Sequence, residues 1–274
     1  SETLAGRVAY HDLSPFTVDE VPTGSLERLW IRGGFPRSFL AGDELTSFRW
    51  RLDFIRTFVE RDLPSLGSRV PAATNDRFWR MLAHVHGQVC NGARFASSFG
   101  VSDPTVRRYL DLLTSALVVQ QLPPWHENTG KRQVKAPKVY IADSGLLHAL
   151  LELPDRLSLD RHPVLGASWE GFMLQQIATV TRSRPEQRYF WGTHAGAELD
   201  LLIVRGTERL GFEIKRTAAP TVTRSLRTAV ETLRLDQAYV VHAGDHSFPL
   251  GSGIDAVAAT DVPTRLATLA EPEA

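Results

Sequence analysis

Lysine is almost missing. Of the 31 Lys and Arg residues in the chain, four are lysines: Lys131, Lys135, Lys138 and Lys215. An ammonium is a compact point charge and a guanidinium a planar fork. A chain that meets nearly every need for positive charge with Arg has set those few lysines apart. Cysteine is scarcer still. The single Cys90 excludes an internal disulfide framework, suits a reducing compartment and is expected to be a buried thiol in a cytoplasmic protein. No run approaches the ~20 apolar residues that a bilayer-crossing helix needs, so no membrane partner is expected. The opening SETLAGRVAYHD lacks the basic flank and apolar stretch of a signal peptide. Formal net charge is zero, so the chain as a whole is no polyelectrolyte partner for nucleic acid. Missing too are the H-E-x-x-H helix, the nucleophile elbow, the dinucleotide fingerprint and any His/Cys pair at zinc spacing. The scattered His84, His86 and His194 are therefore read as structural.

What is present reads as an α/β (α+β) chain. The apolar fraction of 43% and charged fraction of 23% suit a globular protein with sizeable cores, and the length suits about two domains. Residues 1–25 carry turn signals and read as a connecting segment. Residues 26–125 read as helical. SFRWRLDFIRTFVERDLPSLG, 47–67, places Phe48, Leu52, Ile55, Val59 and Leu63 at helical spacing before Pro64 and Gly67 stop it. A second helix is expected over roughly 75–87, with Asn75 as its N-cap. GARFASSFGVSDPTVRRYLDLLTS then gives a helix, a glycine turn at Gly100 and a helix capped by Ser102, which is helix-turn-helix grammar. LVVQQLPP reads as a returning strand with a wing after it.

Residues 126–165 form a basic connecting segment, with a strand at 138–142 and a helix that Asp143 or Ser144 caps. From residue 166 helix and strand alternate, and 166–274 reads as a second, α/β domain. The second helix of the helix-turn-helix offers Arg107 and Arg108 where groove-reading residues stand. Lys131, Arg132, Lys135 and Lys138 offer a handle for phosphates. The residues equally allow a helix-turn-helix that serves only packing, and a basic segment that is solvated or docks a neighbouring domain.

The most informative stretch is ELDLLIVRGTERLGFEIK, 198–215. Gly206-Thr207 suits a two-residue II′ reversal, which sets Arg205 opposite Glu208, Asp200 opposite Glu213 and Glu198 opposite Lys215. With side chains alternating faces, Glu198, Asp200, Glu213 and Lys215 share one side. Leu199, Leu201, Ile203, Phe212 and Ile214 share the other. Directly opposed carboxylates repel, and a divalent cation between them would remove the conflict. Hard ions such as Mg²⁺ take carboxylate oxygens, water and substrate phosphate. The spacing alone allows equally a solvated face with a weak Glu198–Lys215 ion pair.

Asp200 followed by Glu213-Ile214-Lys215, with Glu170 in SWEGF on the preceding helix, resembles the PD-(D/E)xK restriction-endonuclease-like core. Leu199 stands where that motif's name has Pro. More widely, LAGRVAYHDLSPFTVDEV, GGFP, FVERDL, YLDLLTSALVVQQLPP, GKRQVKAPKVYIADSGLLHALL, SWEGF, ELDLLI and FEIK together resemble a prokaryotic family of AAA+-type ATP-binding proteins. Its members carry a helix-turn-helix region and an endonuclease-like C-terminal domain. The resemblance covers nearly the whole chain but not a G-x-x-x-x-G-K-[ST] phosphate loop, which is absent. Without that loop nothing here should cradle ATP phosphates, so the chain is expected to be the C-terminal part of such a protein, with residues 1–25 the end of its ATPase domain.

The resemblance implies an N-terminal helical and winged-helix-like domain followed by a restriction-endonuclease-like one. It also implies Mg²⁺ or Mn²⁺ held by Asp200, Glu213 and Glu170, with the Ile214 carbonyl as a further donor. Lys215 and Glu170 would serve catalysis, with DNA or RNA as substrate and an upstream ATPase domain as partner. Oligomerisation stays open. The alternative is a binding or regulatory module on an inactive endonuclease-like scaffold.

Overall fold

The computed structural model describes residues 7–8, 13–126, 136–251 and 253–270. Its N-terminal helices are α1 (Leu26–Arg32), α2 (Pro36–Phe39) and α3 (Glu44–Thr57), the last running on through a π-helical turn, Phe58–Asp62, into α4 (Leu63–Ser65). Ile55, Val59 and Leu63 on this run are buried as their spacing requires. Helix α5 (Ala72–His84) follows Pro71. Asn75 is not its cap. It lies inside the first turn and donates its side-chain amide to Ser68 Oγ at 3.2 Å, because Pro71 already begins the helix.

Next come β1 (Gln88–Val89), α6 (Gly92–Phe99), α7 (Asp103–Ser115), β2 (Val119–Leu122) and β3 (Lys138–Ile141). Gly100 closes α6 in the left-handed region at φ 63°, where a side chain would be strained. The three strands form one sheet in the order β1-β3-β2. The strand at 138–141 thus belongs with the two helices before it and completes their unit. Lys131, Arg132 and Lys135 lie outside the described residues. Helix α8 (Ser144–Leu150) is capped by Asp143, which accepts the Leu146 N–H at 2.8 Å. The same carboxylate accepts the Gly34 N–H at 2.8 Å, tying the GGFP turn to α8.

After the short α9 (Arg156–Asp160), the C-terminal unit runs α10 (Leu165–Val180), β4 (Arg188–Gly192), β5 (Glu198–Arg205), β6 (Glu208–Lys215), α11 (Arg224–Leu233), β7 (Gln237–His242), β8 (Phe248–Gly251), β9 (Ile254–Ala258) and α12 (Val262–Arg265). The six strands form a mixed sheet in the order β4-β5-β6-β7-β9-β8. β4, β5 and β6 are antiparallel, while β6, β7 and β9 run parallel. One face carries Ile203, Leu210, Phe212, Ile214 and Val241 into a core shared with α10. The other carries Leu202, Ala238 and Val240 onto Leu226, Ala229 and Leu233 of α11. Helix α10 is apolar around most of its circumference because it is covered on two sides. Its Trp169 and Met173 join the sheet core, and that core continues without a break into Trp30, Phe58 and Trp79 of the N-terminal helices.

Candidate functional site

The expected reversal is present: Arg205 pairs with Glu208, the register holds through Leu201 and Phe212, and Gly206 has φ 59°. At Asp200 the alternation breaks. Against β4, Tyr189 pairs with Leu202 but Trp191 pairs with Leu199, so Asp200 and Leu201 together oppose the single Phe190. This is a β-bulge, a device that re-aims one side chain. Its signature is in the cores. Leu201 and Ile203 pack on the α10 side, while Leu199 packs with Leu202 on the α11 side. The expected shared apolar face of Leu199 and Leu201 is therefore corrected by one inserted residue.

The carboxylates do not face one another in simple opposition. Asp200 Oδ2 accepts the Ile214 N–H at 2.7 Å, so a side chain replaces a strand's carbonyl at the end of the ladder. Glu213 lies between Phe212 and Ile214, which both point to the α10 side. It therefore turns to the α11 side, where both its oxygens accept from Thr223 Oγ1 at 3.1 and 3.0 Å. Lys215 Nζ stands 3.3 Å from Glu213 and its side chain is half exposed. The expected Glu198–Lys215 pair is replaced. Glu198 bonds Lys138 and Lys215 bonds Glu213.

Lys138 is the residue that sequence reasoning misplaced. Expected as a surface contact for phosphate, it is 4% exposed. Its ammonium lies 3.1 Å from Glu170 Oε1, touches the Glu198 carboxylate and sits 5.6 Å from the Phe190 ring centre. Tyr140, two residues along the same strand and so on the same face, donates its hydroxyl to that same Glu170 oxygen at 2.5 Å. Alternation along K-V-Y could have shown that both turn the same way. Nothing in the sequence marks that way as inward. Gly171 gives the close approach, since a Cβ there would lie 2.5 Å from His86 Nε2 and 3.1 Å from Tyr140.

Asp200, Glu170, Glu198, Glu213, Lys138 and Lys215 thus form one electrostatic cluster at the end of the hairpin. Burial, then the charge of Asp200, pushes the Glu170 carboxyl up to about 7 against the pull of Lys138 and Tyr140. Burial raises Glu213 as well, opposed by Lys215 and Thr223. Burial works against the Lys138 ammonium, yet Glu170, Asp200 and Glu198 hold it above the usual lysine range. The donors suit a hard divalent ion in kind, being carboxylate oxygens from a helix and a hairpin. Each, however, is engaged by the protein's own groups. Among the described residues no three His, Cys, Asp or Glu side chains stand together as a ready metal cage.

The other sequence candidates lie apart from this cluster. Arg107 and Arg108 are exposed on α7, and Arg107 pairs with Asp103 at 3.0 Å. His86, read as structural, is buried and hydrogen-bonded within the core, as is His148, which the sequence did not single out, and burial raises the thiol of the buried Cys90. Among the described residues no helix is long and apolar enough to cross a membrane.

Comparison with known proteins divides the chain in the same place. Residues 23–157 match a domain of unknown function, DUF8612, and residues 165–262 match another, DUF4143. No solved structure matches the chain. The uncharacterized protein Rv2008c of Mycobacterium tuberculosis is 51% identical over 264 residues, as is the uncharacterized protein Mb2031c of Mycobacterium bovis. That alignment takes in 96% of this chain but 59% of each relative, so the chain is similar to one large part of two longer mycobacterial proteins.

Proposed function

We propose that the C-terminal unit is a PD-(D/E)xK-type, divalent-metal-dependent phosphodiesterase acting on DNA or RNA, within a longer protein of the AAA+-associated type. The observation that carries this reading is the bulge at Asp200. An extra residue in the central hairpin brings that carboxylate into the field of Glu170, Glu213, Lys138 and Lys215. A fold concerned only with stability gains nothing from crowding acids there. Perturbed acids gathered at one place make that place a candidate functional site.

In this reading Asp200, Glu213 and Glu170 would hold Mg²⁺ or Mn²⁺, with the Ile214 carbonyl beside them. A bound ion would supply Lewis-acid polarisation of a phosphoryl oxygen. The chain's own groups do the rest. The half-exposed Lys215 ammonium, 3.3 Å from Glu213, orients a water and offsets charge growing on the phosphoryl oxygens. Glu170, on the helix, would complete the acid cluster about the ion. Tyr140 holds the Glu170 carboxylate in place through the bond at 2.5 Å. Helices α6 and α7 with strands β1, β2 and β3 form a winged helix-turn-helix in this proposal, and Arg107 and Arg108 meet the nucleic-acid backbone.

A second reading rests on a different observation. Every acid of the cluster already has a protein partner, as expected of an inactive scaffold that serves as a binding module. Incubation of the purified chain with plasmid and single-stranded substrates in Mg²⁺ or Mn²⁺ separates the two. The enzyme reading expects cleavage that Lys215→Ala lowers at least ~100-fold. Cleavage unchanged in that variant would assign the activity to a contaminant, and no cleavage of any substrate would favour the scaffold.

A further inference from the structure

We propose that a strip of cations running from Lys215 onto the outer face of α11 is a docking surface for the phosphate backbone of a nucleic acid. The inference rests on the reading of DNA or RNA as the partner, and it holds for an enzyme and for a binding module alike. It places a contact on the C-terminal unit, apart from Arg107 and Arg108 of α7.

Formal charge sums to zero over the whole chain. Residues 215–234 depart from that balance, holding Lys215, Arg216, Arg224, Arg227 and Arg234 against the single acid Glu231. The fold gathers this surplus beside the acid cluster. Lys215 Nζ and Thr223 Oγ1 both lie on the Glu213 carboxylate, at 3.3 Å and 3.0 Å, so the end of β6 and the start of α11 meet there. Arg224 comes next, and the Arg227 N–H bonds the Thr223 carbonyl at 3.1 Å, one turn further on. Leu226, Ala229 and Leu233 take the buried face of this helix, while Arg224, Arg227 and Arg234 are exposed. From Arg224 to Arg234 the chain climbs about 15 Å, the span of about four phosphates on one strand. Arg56 and Arg107, exposed on α3 and α7, are each matched by an acid one turn away. Among the described residues Arg224 and Arg227 have no such partner, although Glu231 stands one turn from Arg227. Their charge is left for an outside anion. The acids of the cluster repel a polyanion, so a phosphate chain needs cations beyond Lys215 to rest here.

Fluorescence anisotropy of the full chain with a labelled oligonucleotide tests this, single-stranded in one arm and duplex in the other, without divalent metal and over a series of salt concentrations. Arg224→Ser combined with Arg227→Ser should raise Kd about tenfold at low salt and flatten the slope of log K against log salt by about 1–2. Arg224→Lys combined with Arg227→Lys should keep most of the affinity, since a phosphate is held by charge. Both side chains are exposed, so the urea midpoint should stay where it is, which separates a lost contact from a lost fold. Wild-type binding with Kd and slope unchanged in the serine variant would overturn the strip and leave a nucleic-acid partner standing through α7. No binding in either arm would remove the strip and the nucleic-acid reading together. Competition by a polyglutamate peptide as strong as by the oligonucleotide would assign the strip to an acidic protein and overturn it as well.

Discussion

At Gly171 one absent carbon sets how near three elements come. The glycine lies on α10 beside Glu170, and an added Cβ would stand 2.5 Å from His86 Nε2, 2.8 Å from His86 Cε1 and 3.1 Å from Tyr140 Cδ1. Alanine would favour the helix by about 1 kcal/mol. The imidazole cannot step back, since its Nδ1 accepts the Ile141 N–H at 3.0 Å and its Nε2 bonds the Ala167 carbonyl at 3.1 Å. Overpacking of this kind costs about 1–3 kcal/mol and should outweigh the helical gain. Gly171→Ala is thus expected to lower stability by up to about 2 kcal/mol, seen as a lower urea midpoint at unchanged slope. A higher midpoint would show that helix propensity dominates and that His86 is free to move.

At the scale of single elements, α11 is held by its first turn. Thr223 accepts the Leu226 N–H at 3.0 Å while giving its proton to Glu213, and Ser225 Oγ bonds both the N–H and the carbonyl of Glu198. One helix terminus therefore positions two of the cluster's acids. Thr223→Val keeps the shape and removes both bonds, so a loss of about 1–2 kcal/mol is expected. Chemical denaturation measures it, and a change below about 0.3 kcal/mol would mean that water replaces the threonine without cost.

Much of this architecture was legible beforehand. The order of helix, strand, hairpin, helix and strand follows from periodicity, and the register follows from Arg-Gly-Thr-Glu. The bulge was not legible, because ELDLLI alternates equally well with or without an extra residue, and only the pairing with β4 inserts it. Strands β8 and β9 were missed for a related reason, since FPLG and IDAVA are short and flanked by Gly and Pro. Lys138 was misjudged because a count of positive charges in a segment says nothing of which side chain turns inward.

Across the whole molecule, two buried histidines join the N-terminal part to α10. His86 receives the Ile141 N–H and bonds Ala167. His148 bonds the Ile31 carbonyl at 2.9 Å and Ser168 Oγ at 2.7 Å, and that hydroxyl in turn accepts from Trp30 Nε1. Both rings must be neutral here, and burial above all lowers each to about 3 from 6.5. A base with a depressed folded pKa contributes stability that is complete above its unfolded pKa and lost as pH falls below it. At pH 5 each ring costs the fold about 2 kcal/mol. Glu170 works in the opposite sense: raised from 4.5 to about 7, it favours the fold as pH falls through that window and offsets roughly one histidine. Glu213 and Asp143, also raised by burial, add to this offset, so the fold is expected to be less stable at pH 5 than at pH 8 by no more than about 2 kcal/mol, by denaturant titration at each pH. In Glu170→Gln that residue's share of the offset disappears and the drop should steepen by about 2 kcal/mol. Equal or greater stability at pH 5 would mean that the two parts are not joined through neutral imidazoles. The same fall should appear in near-UV and far-UV signals together, because one core runs through both parts and neither can loosen alone.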